Sequence, residues 1–165
     1  MKKMMLALAF VLTFIGCSSK ETVALNVPQI VVGNSMEELT LNDQFDKPHS
    51  VKAETQKIIF AFSKQTGHDC NDFLATKSKE YLAAKKILFV ADISNAPSLV
   101  RSMFIAPGLK DFEHTILVLD EKETATKLRP DGDLEKIVVV SLEEYVIKDI
   151  AYLATVKELE ELVGN

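Results

Sequence analysis

Cys70 is the residue whose type and position most directly suggest chemistry. It lies in the stretch "KIIFAFSKQTGHDCNDFL", residues 57–74, which runs from an apolar strand pattern through a polar turn into a helix. A thiol at a helix start can become a nucleophile, because free N–H groups and the positive end of the helix dipole stabilise negative charge on sulfur. Cys70 is therefore a candidate nucleophile, a candidate metal ligand or a buried core residue.

The immediate neighbours of Cys70 favour burial. Phe73 and Leu74 follow it at three- and four-residue spacing, which places all three on one face of a helix. The adjacent Asp69 disfavours a negatively charged sulfur. Free cysteine is among the most buried residue types in proteins, so an inert core cysteine is the default interpretation.

A strand–helix–strand unit positions this cysteine. Residues 57–62 are apolar on both faces, which predicts a strand buried on both sides. Thr66 and Asp69 form a capping-box-like pair at the start of the next helix, and residues 87–91 form a second buried strand. The predicted apolar face of the helix consists of Cys70, Phe73, Leu74, Tyr81 and Leu82.

The flanking segments predict an α/β domain with a central mixed β-sheet flanked by helices and an N-terminal β-hairpin. Asn95 and Pro97 indicate the start of a short helix, and residues 122–133 are polar without an apolar period. The last helix begins at Thr155, paired with Glu158, and stops at Gly164. The remaining strands are the hairpin in residues 36–51, a third apolar strand in 114–121, and a second hairpin from 136–142 and 145–153.

The first seventeen residues predict export. Lys2 and Lys3 precede an apolar or small run from Met4 to Ile15, and this run is too short for a spanning helix, so it is typical of a secretory signal. The ending "FIGC" resembles the lipobox of bacterial lipoproteins, which implies that Cys17 is acylated and becomes the first residue of the mature chain. The predicted organisation is a signal peptide in 1–16, a lipidated tether in 17–28 and one domain in 29–165.

This organisation limits the partners. The resemblance to lipoproteins implies that Ser18 directs the chain to the periplasmic face of the outer membrane in a host with two membranes. Without Lys2 and Lys3 the mature chain has 17 basic and 24 acidic residues, a formal charge of −7, which excludes nucleic acid as the expected partner. The expected partners are the membrane, through the lipid anchor, and a protein of the cell envelope. The sequence predicts no oligomeric state.

Four segments of the domain carry a family resemblance: "LTLNDQFDKPHSV", "IIFAFSKQTGHDC", "ILFVADIS" and "FEHTILVLD". On these segments the domain resembles a thioredoxin-fold protein of the exported, peroxiredoxin-like and membrane-tethered thioredoxin-like branch. The resemblance covers residues 37–163 and implies a thioredoxin-like fold.

The sequence departs from that family at the positions that carry dithiol exchange. Thioredoxins begin the helix with Cys-x-x-Cys, and here the window is Gly67-His68-Asp69-Cys70, so the position of the attacking cysteine holds glycine. The family places a cis-proline before the third strand, where this chain has His114. Peroxiredoxin-like members have a threonine three positions before the cysteine, and that position is again Gly67. The resemblance therefore implies a degenerate active site.

Two hypotheses follow for function. The first is a non-catalytic binding module that uses a groove between the Gly67 turn and the His114 loop and needs no cofactor. The second is a thiol-dependent oxidoreductase or sensor, or a metal-binding protein, in which Cys70 has His68 and His114 as neighbours. Because positions 68 and 70 of a helix point about 200° apart, the metal set is the weaker form of the second hypothesis. Common nucleotide-binding and hydrolase motifs are absent from the sequence.

Overall fold

The computed structural model describes residues 27–164, so the predicted signal and most of the predicted tether lie outside the described residues. The strands are β1 (Thr40–Asn42), β2 (Pro48–Ser50), β3 (Lys57–Ala61), β4 (Ile87–Asp92), β5 (Leu117–Leu119), β6 (Ile137–Glu143) and β7 (Val146–Leu153). The helices are α1 (Lys64–Ala75), α2 (Tyr81–Ala84), α3 (Ser98–Val100), a π-helical turn (Arg101–Ile105), α4 (Ala106–Leu109), α5 (Lys122–Leu128) and α6 (Val156–Gly164).

The centre of the domain is a five-stranded mixed sheet in the order β5-β4-β3-β6-β7. β3 pairs in parallel with β4 and β4 with β5, whereas β6 runs antiparallel to both β3 and β7. β1 and β2 form a separate antiparallel hairpin. The predicted fold class, a mixed sheet flanked by helices with an N-terminal hairpin, is confirmed.

β3 is buried on both faces, as its apolar run predicts. Ile58 and Phe60 belong to a core that also contains residues of β1, β6 and α5. Ile59 and Ala61 belong to a second core on the other face, with residues of α1, α4 and α6. Since alternate side chains of a strand point to opposite faces, one short strand joins the two cores.

The start of α1 differs from the prediction by one turn. Ser63, and not Thr66, is the N-cap: its Oγ accepts from the backbone N–H of Thr66 at 3.3 Å, and its own N–H donates to Thr66 Oγ1 at 3.2 Å. Both serine and threonine cap helices, so the choice depends on where the strand ends. β3 ends at Ala61, one residue before the prediction, and the helix begins at Lys64.

α1 also ends earlier than its apolar pattern predicts. The helix stops at Ala75, and Tyr81 and Leu82 belong to the separate short helix α2. Tyr81 nevertheless packs edge-on against Phe73, with ring centroids 6.4 Å apart. The periodicity correctly grouped these side chains in one core, but the chain turns between the two helices.

Two further elements correct the sequence reading. Residues 122–133, expected to be irregular, contain α5, which buries Thr124, Ala125 and Leu128. Their spacing is helical, but only one of the three is a large apolar residue, so the signal is weak. The helix expected to be capped by Asn95 has Pro97 at its N-cap position and contains the π-helical turn.

The carboxyl-terminal elements agree with the prediction. β6 and β7 form a hairpin closed by Glu144 and Tyr145, both with positive φ, as in the turn that suits the twist of paired strands. The start of α6 is capped by the predicted pair, in which Thr155 Oγ1 accepts from the N–H of Glu158 at 3.2 Å. The segment before β1 is hydrogen bonded to the start of β7: Gly33 donates to Ile147, Ile147 to Asn34, and Met36 to Tyr145.

Candidate functional site

Cys70 lies inside the core between α1 and the sheet. Its side chain is fully buried (0% exposed) and shares a cluster with Ile59, Phe89 and Ile116, among others. Because the helix begins at Lys64, Cys70 is its seventh residue, almost two turns from the free N–H groups at the start. The structure therefore places Cys70 at a depth where the helix dipole gives a thiolate little support.

Burial and charge both oppose ionisation of this thiol. Desolvation raises the pKa of Cys70 to about 12, and the carboxylate of Asp69 adds to the increase. A thiol of this kind is protonated throughout the physiological range, and the thiolate is the nucleophilic form. Cys70 has the properties of an inert core cysteine.

The start of α1, where the resemblance places an attacking cysteine, is closed by a capping box of the Ser63 and Thr66 side chains. Ser63 and Thr66 bond to each other, and the first helical hydrogen bond runs from Gly67 N–H to Ser63 C=O at 3.0 Å. Gly67 is thus the fourth helical residue. A Cβ added to Gly67 would meet no heavy atom within 4 Å, so the position has room for a side chain that the sequence omits.

His114 is buried on the same side of the sheet and bonds to α1. Its Nε2 lies 3.0 Å from Asn71 Oδ1, so the imidazole N–H donates to the amide oxygen. The rings of Phe112 and Phe89 lie 5.2 and 6.2 Å from the imidazole, centroid to centroid. Desolvation lowers the pKa of His114 to about 4, so the imidazole is neutral at pH 7. Asn71, which no sequence motif marked, is the partner that holds this residue.

The three predicted candidates differ sharply in exposure. Cys70 and His114 are buried, whereas His68 is exposed on the outer face of α1. Within residues 27–164 the structure brings together no three His, Cys, Asp or Glu side chains able to hold a metal ion. The described geometry thus provides no support for the set of His68, Cys70 and His114 as a metal centre.

A buried glutamine fastens the His114 loop to the N-terminal hairpin. Gln44 Nε2 donates to the carbonyl of His114 at 2.8 Å, and Gln44 Oε1 accepts from the N–H of Ile116 at 2.9 Å. The backbone N–H of Gln44 also donates to Ile116 C=O at 3.0 Å. A glutamine amide carries both a donor and an acceptor, so its side chain pairs with the backbone of residues 114 and 116 as a neighbouring strand residue would. Sequence reasoning missed it, because a glutamine beside a turn looks solvated.

Asp43 stabilises the turn that carries Gln44. Its carboxylate accepts from the N–H groups of Phe45 and Lys47 at 2.8 and 3.0 Å and lies 2.8 Å from His49 Nε2. Burial opposes the charge, but the bonds from Lys47, His49 and Phe45 outweigh it and lower the pKa of Asp43. No sequence pattern assigned a role to His49, and the structure makes it the carboxylate's partner in the turn.

A cavity of about 360 Å³ lies between this turn and residues 98–110. Asn42 and Asp46 line it from the hairpin, and Ser98, Arg101 and Lys110 line it from the opposite side. The lining carries charges of both signs. This cavity is lined by Gln44 and not by Gly67, so it differs from the groove predicted between the Gly67 turn and the His114 loop.

Two arginines form polar contacts around the carboxyl end of β4. Arg129 donates from Nη2 and Nε to Asp92 Oδ2 at 2.6 and 3.1 Å, and the Asp92 side chain is buried. Arg101 Nη1 donates to the carbonyls of Ser94 and Asp120 at 3.2 and 2.5 Å. The Arg101 contacts hold residues 98–110 against the ends of β4 and β5, and the Arg129 contacts fasten the end of α5 to β4.

Comparison with known proteins identifies the fold class. No family model and no curated protein matches the sequence. The structure is similar to the solution structure of a protein assigned as a disulfide isomerase from Bacteroides thetaiotaomicron, with a TM-score of 0.52 and 13% identity over 81% of this chain and 86% of that one. A peroxiredoxin-like protein from Aquifex aeolicus gives a TM-score of 0.49 and 13% identity over 83% and 88% of the two chains. The domain has a thioredoxin-like fold, and at these identities the likeness defines the fold alone.

A search for membrane-crossing helices among residues 27–164 finds none of sufficient length and apolarity.

Proposed function

We propose that this protein is a lipid-anchored, exported interaction module built on a thioredoxin-like fold with a degenerate active site. The observation that carries the proposal is the environment of Cys70: its thiol is fully buried and protonated, and residues 27–164 contain no second cysteine. Thiol exchange requires an exposed thiolate and a resolving thiol. The scaffold is retained while the chemistry is not.

The proposed binding surface is the cavity between the N-terminal hairpin and residues 98–110. Asp46 and Arg101 place opposite charges on its two sides. A polar segment of an envelope protein with both a carboxylate and a cationic group fits this lining. The buried Gln44 bridge and the Arg101 contacts keep both walls in place before the partner arrives, which reduces the entropy lost on binding.

Export and lipidation form the second part of the proposal. They rest on the signal-like residues 1–16 and the lipobox-like ending at Cys17. Several acyl chains hold a protein on a bilayer far more firmly than one, because each buried methylene contributes about 0.8 kcal/mol. Radiolabelled palmitate incorporation in the native host, abolished in Cys17→Ala, tests this part on its own.

Thiol labelling tests the non-catalytic part. The folded protein is reacted with a maleimide probe between pH 6 and 9, and Cys70 is expected to label at least about a hundredfold more slowly than in urea, because both access and ionisation are blocked. Gly67→Cys is the matched control, since it places a thiol on the same helix where a side chain has open space. That variant is expected to label rapidly at its new thiol while Cys70 stays unreacted.

The opposite result would support the alternative function. Rapid labelling of native Cys70, with an inflection below about pH 8, would indicate a single-thiol oxidoreductase or sensor. Stoichiometric copper or zinc in protein purified from its native envelope, lost in His114→Ala, would indicate a metal protein. Either finding would overturn the proposal of a non-catalytic module.

A further inference from the structure

The helical segment after β4 contacts the core through Ile105 and Leu109 near its end, but residues 98–104 are amphipathic and face the wrong way for a core helix. Its polar residues Ser98, Arg101 and Ser102 line the cavity against the body of the domain. Four large apolar side chains point outward instead: Leu99, Val100, Met103 and Phe104 are 67, 39, 58 and 69% exposed. A core helix normally shows the reverse pattern.

This apolar ridge has the size of the largest apolar patch on a typical monomer, which is often functional. With about 200 Å² for a large apolar side chain, the four exposed fractions amount to roughly 450 Å², within the range of patches that mark interaction sites. A stable dimer buries about 800 Å² on each partner. The ridge is therefore too small to hold a second copy of this chain by itself.

The charge around the ridge suits a lipid surface. From Ile93 to Lys110 the sequence contains no Asp or Glu and includes Arg101 and Lys110, although the mature chain carries a formal charge of −7. It is the longest acid-free stretch after Cys17. The nearby carboxylates of Asp46 and Asp120 line the cavity on the inner side of the segment. A convex apolar ridge without acidic groups matches the interfacial mode of membrane binding.

We propose that the Leu99–Phe104 ridge docks onto the bilayer to which the chain is anchored. The inference rests on the proposed lipid anchor, which brings the ridge to the membrane: residues 18–28 extend to about 36 Å at 3.3 Å per residue, enough to let this face turn toward the headgroups. Docking inserts the four side chains at the headgroup boundary and fixes the domain's orientation, so the cavity behind the ridge lies near the membrane surface.

A single tryptophan reports on the ridge, because the native sequence contains none. Phe104→Trp places it on the ridge. Lys79→Trp is the control, in the exposed loop before α2, which leads into the opposite end of β4. Each mature variant is prepared on vesicles of phosphatidylethanolamine and phosphatidylglycerol with brominated acyl chains, and the fluorescence spectrum and its quenching are measured.

The ridge tryptophan is expected to show a blue-shifted spectrum and at least about twofold stronger quenching than the control. Adding Leu99→Glu is expected to remove both effects while the protein stays on the vesicles. Equal quenching of the two reporters, or a red-shifted ridge tryptophan on vesicle-bound protein, would overturn docking. A blue shift without vesicles would do so too, by showing that the tether or, where it depends on concentration, a second copy covers the ridge.

The same experiment separates docking from anchoring. Residues 18–165 with an amino-terminal histidine tag are placed on vesicles that contain nickel-chelating lipid, so attachment no longer depends on acylation of Cys17. Quenching of the ridge tryptophan on these vesicles supports docking even if the native chain is not acylated. Its absence there, with acylation of the native chain intact, refutes docking and leaves the anchor standing.

Discussion

Two consecutive strand–helix units of the parallel part of the sheet bury their side chains in opposite ways. β3 leads into α1, which turns Cys70 and Leu74 into the core and exposes residues such as His68. β4 leads into residues 98–109, which turn Arg101 inward and expose Phe104. The first unit is closed by a capping box and the Asn71–His114 bond, whereas the second has an apolar surface in contact with solvent.

The first unit stabilises the domain by core packing, whereas the second leaves apolar surface exposed. The strand–helix unit that contains Cys70 packs as ordinary core. The next unit keeps an apolar surface that adds nothing to the described domain's own core. Exposed apolar area of this kind is typical of interaction sites. The comparison therefore favours association over catalysis.

Truncation of one leucine in each unit should give the largest difference in stability between the two units. Leu74→Ala is expected to lower the free energy of unfolding by about 3 kcal/mol, because it leaves a cavity in a packed core. Leu99→Ala, on the exposed ridge, is expected to change it by less than about 0.5 kcal/mol. Urea unfolding followed by circular dichroism measures both. Equal losses would mean that the ridge is covered by the protein itself.

Acid should weaken the closed unit through His114. Its pKa in the folded state, about 4, is lower than the ordinary 6.5, so as pH falls from 6.5 the unfolded state binds a proton that the folded state refuses. The contribution of His114 to the free energy of unfolding is fully present above pH 6.5 and falls by about 3 kcal/mol as the pH approaches 4. Urea titrations between pH 7 and 4 measure this slope.

His114→Gln is the control for that slope, because its amide retains an N–H donor for Asn71 but does not titrate. In the variant, the part of the pH dependence that comes from His114 should be absent between pH 6.5 and 4. The pKa of Asp43 lies below its ordinary value of 3.8, so the contribution of Asp43 to stability is lost only at lower pH. Identical slopes for the two proteins would show that His114 is not protected from protonation.

Removal of the cap residue should give a smaller difference in stability loss between the two units. Ser63→Ala removes the side-chain acceptor for Thr66 N–H and is expected to cost about 1 kcal/mol. The second unit begins at Pro97, which makes no side-chain cap bond, so Ser98→Ala is expected to cost less than about 0.5 kcal/mol. Thermal unfolding compares the two. A larger effect of Ser98→Ala would show that the second helix start also contributes to folding.

The sequence predicts the fold because periodic apolar burial determines it. The two-sided burial of β3, the β6–β7 hairpin and the Thr155–Glu158 cap of α6 all follow from local patterns. The burial of Cys70 also follows from its spacing to Phe73 and Leu74. The predicted start of α1 at Thr66 was wrong, because Ser63 can also cap and the local pattern did not show that the strand ends early enough to use it.

The surroundings of the candidate site were less predictable, because they depend on residues far apart in the sequence. The Gln44–His114 bond joins positions 70 residues apart and the Asn71–His114 bond joins positions 43 apart. No local rule pairs such residues. The outward orientation of Phe104 was equally hidden, since periodicity shows that a helix has two faces but not which one meets the sheet.

The stretch that precedes the hairpin has a mechanical consequence. Gly33, Asn34 and Met36 bond to the first residues of the outermost strand, β7, and Met36 is fully buried. Any tension applied at the amino terminus is therefore resisted first by these three backbone bonds and by the buried side chains of Ile30 and Met36. Such a load would act on the edge of the sheet, and the core around Cys70 would experience it only after these contacts had broken.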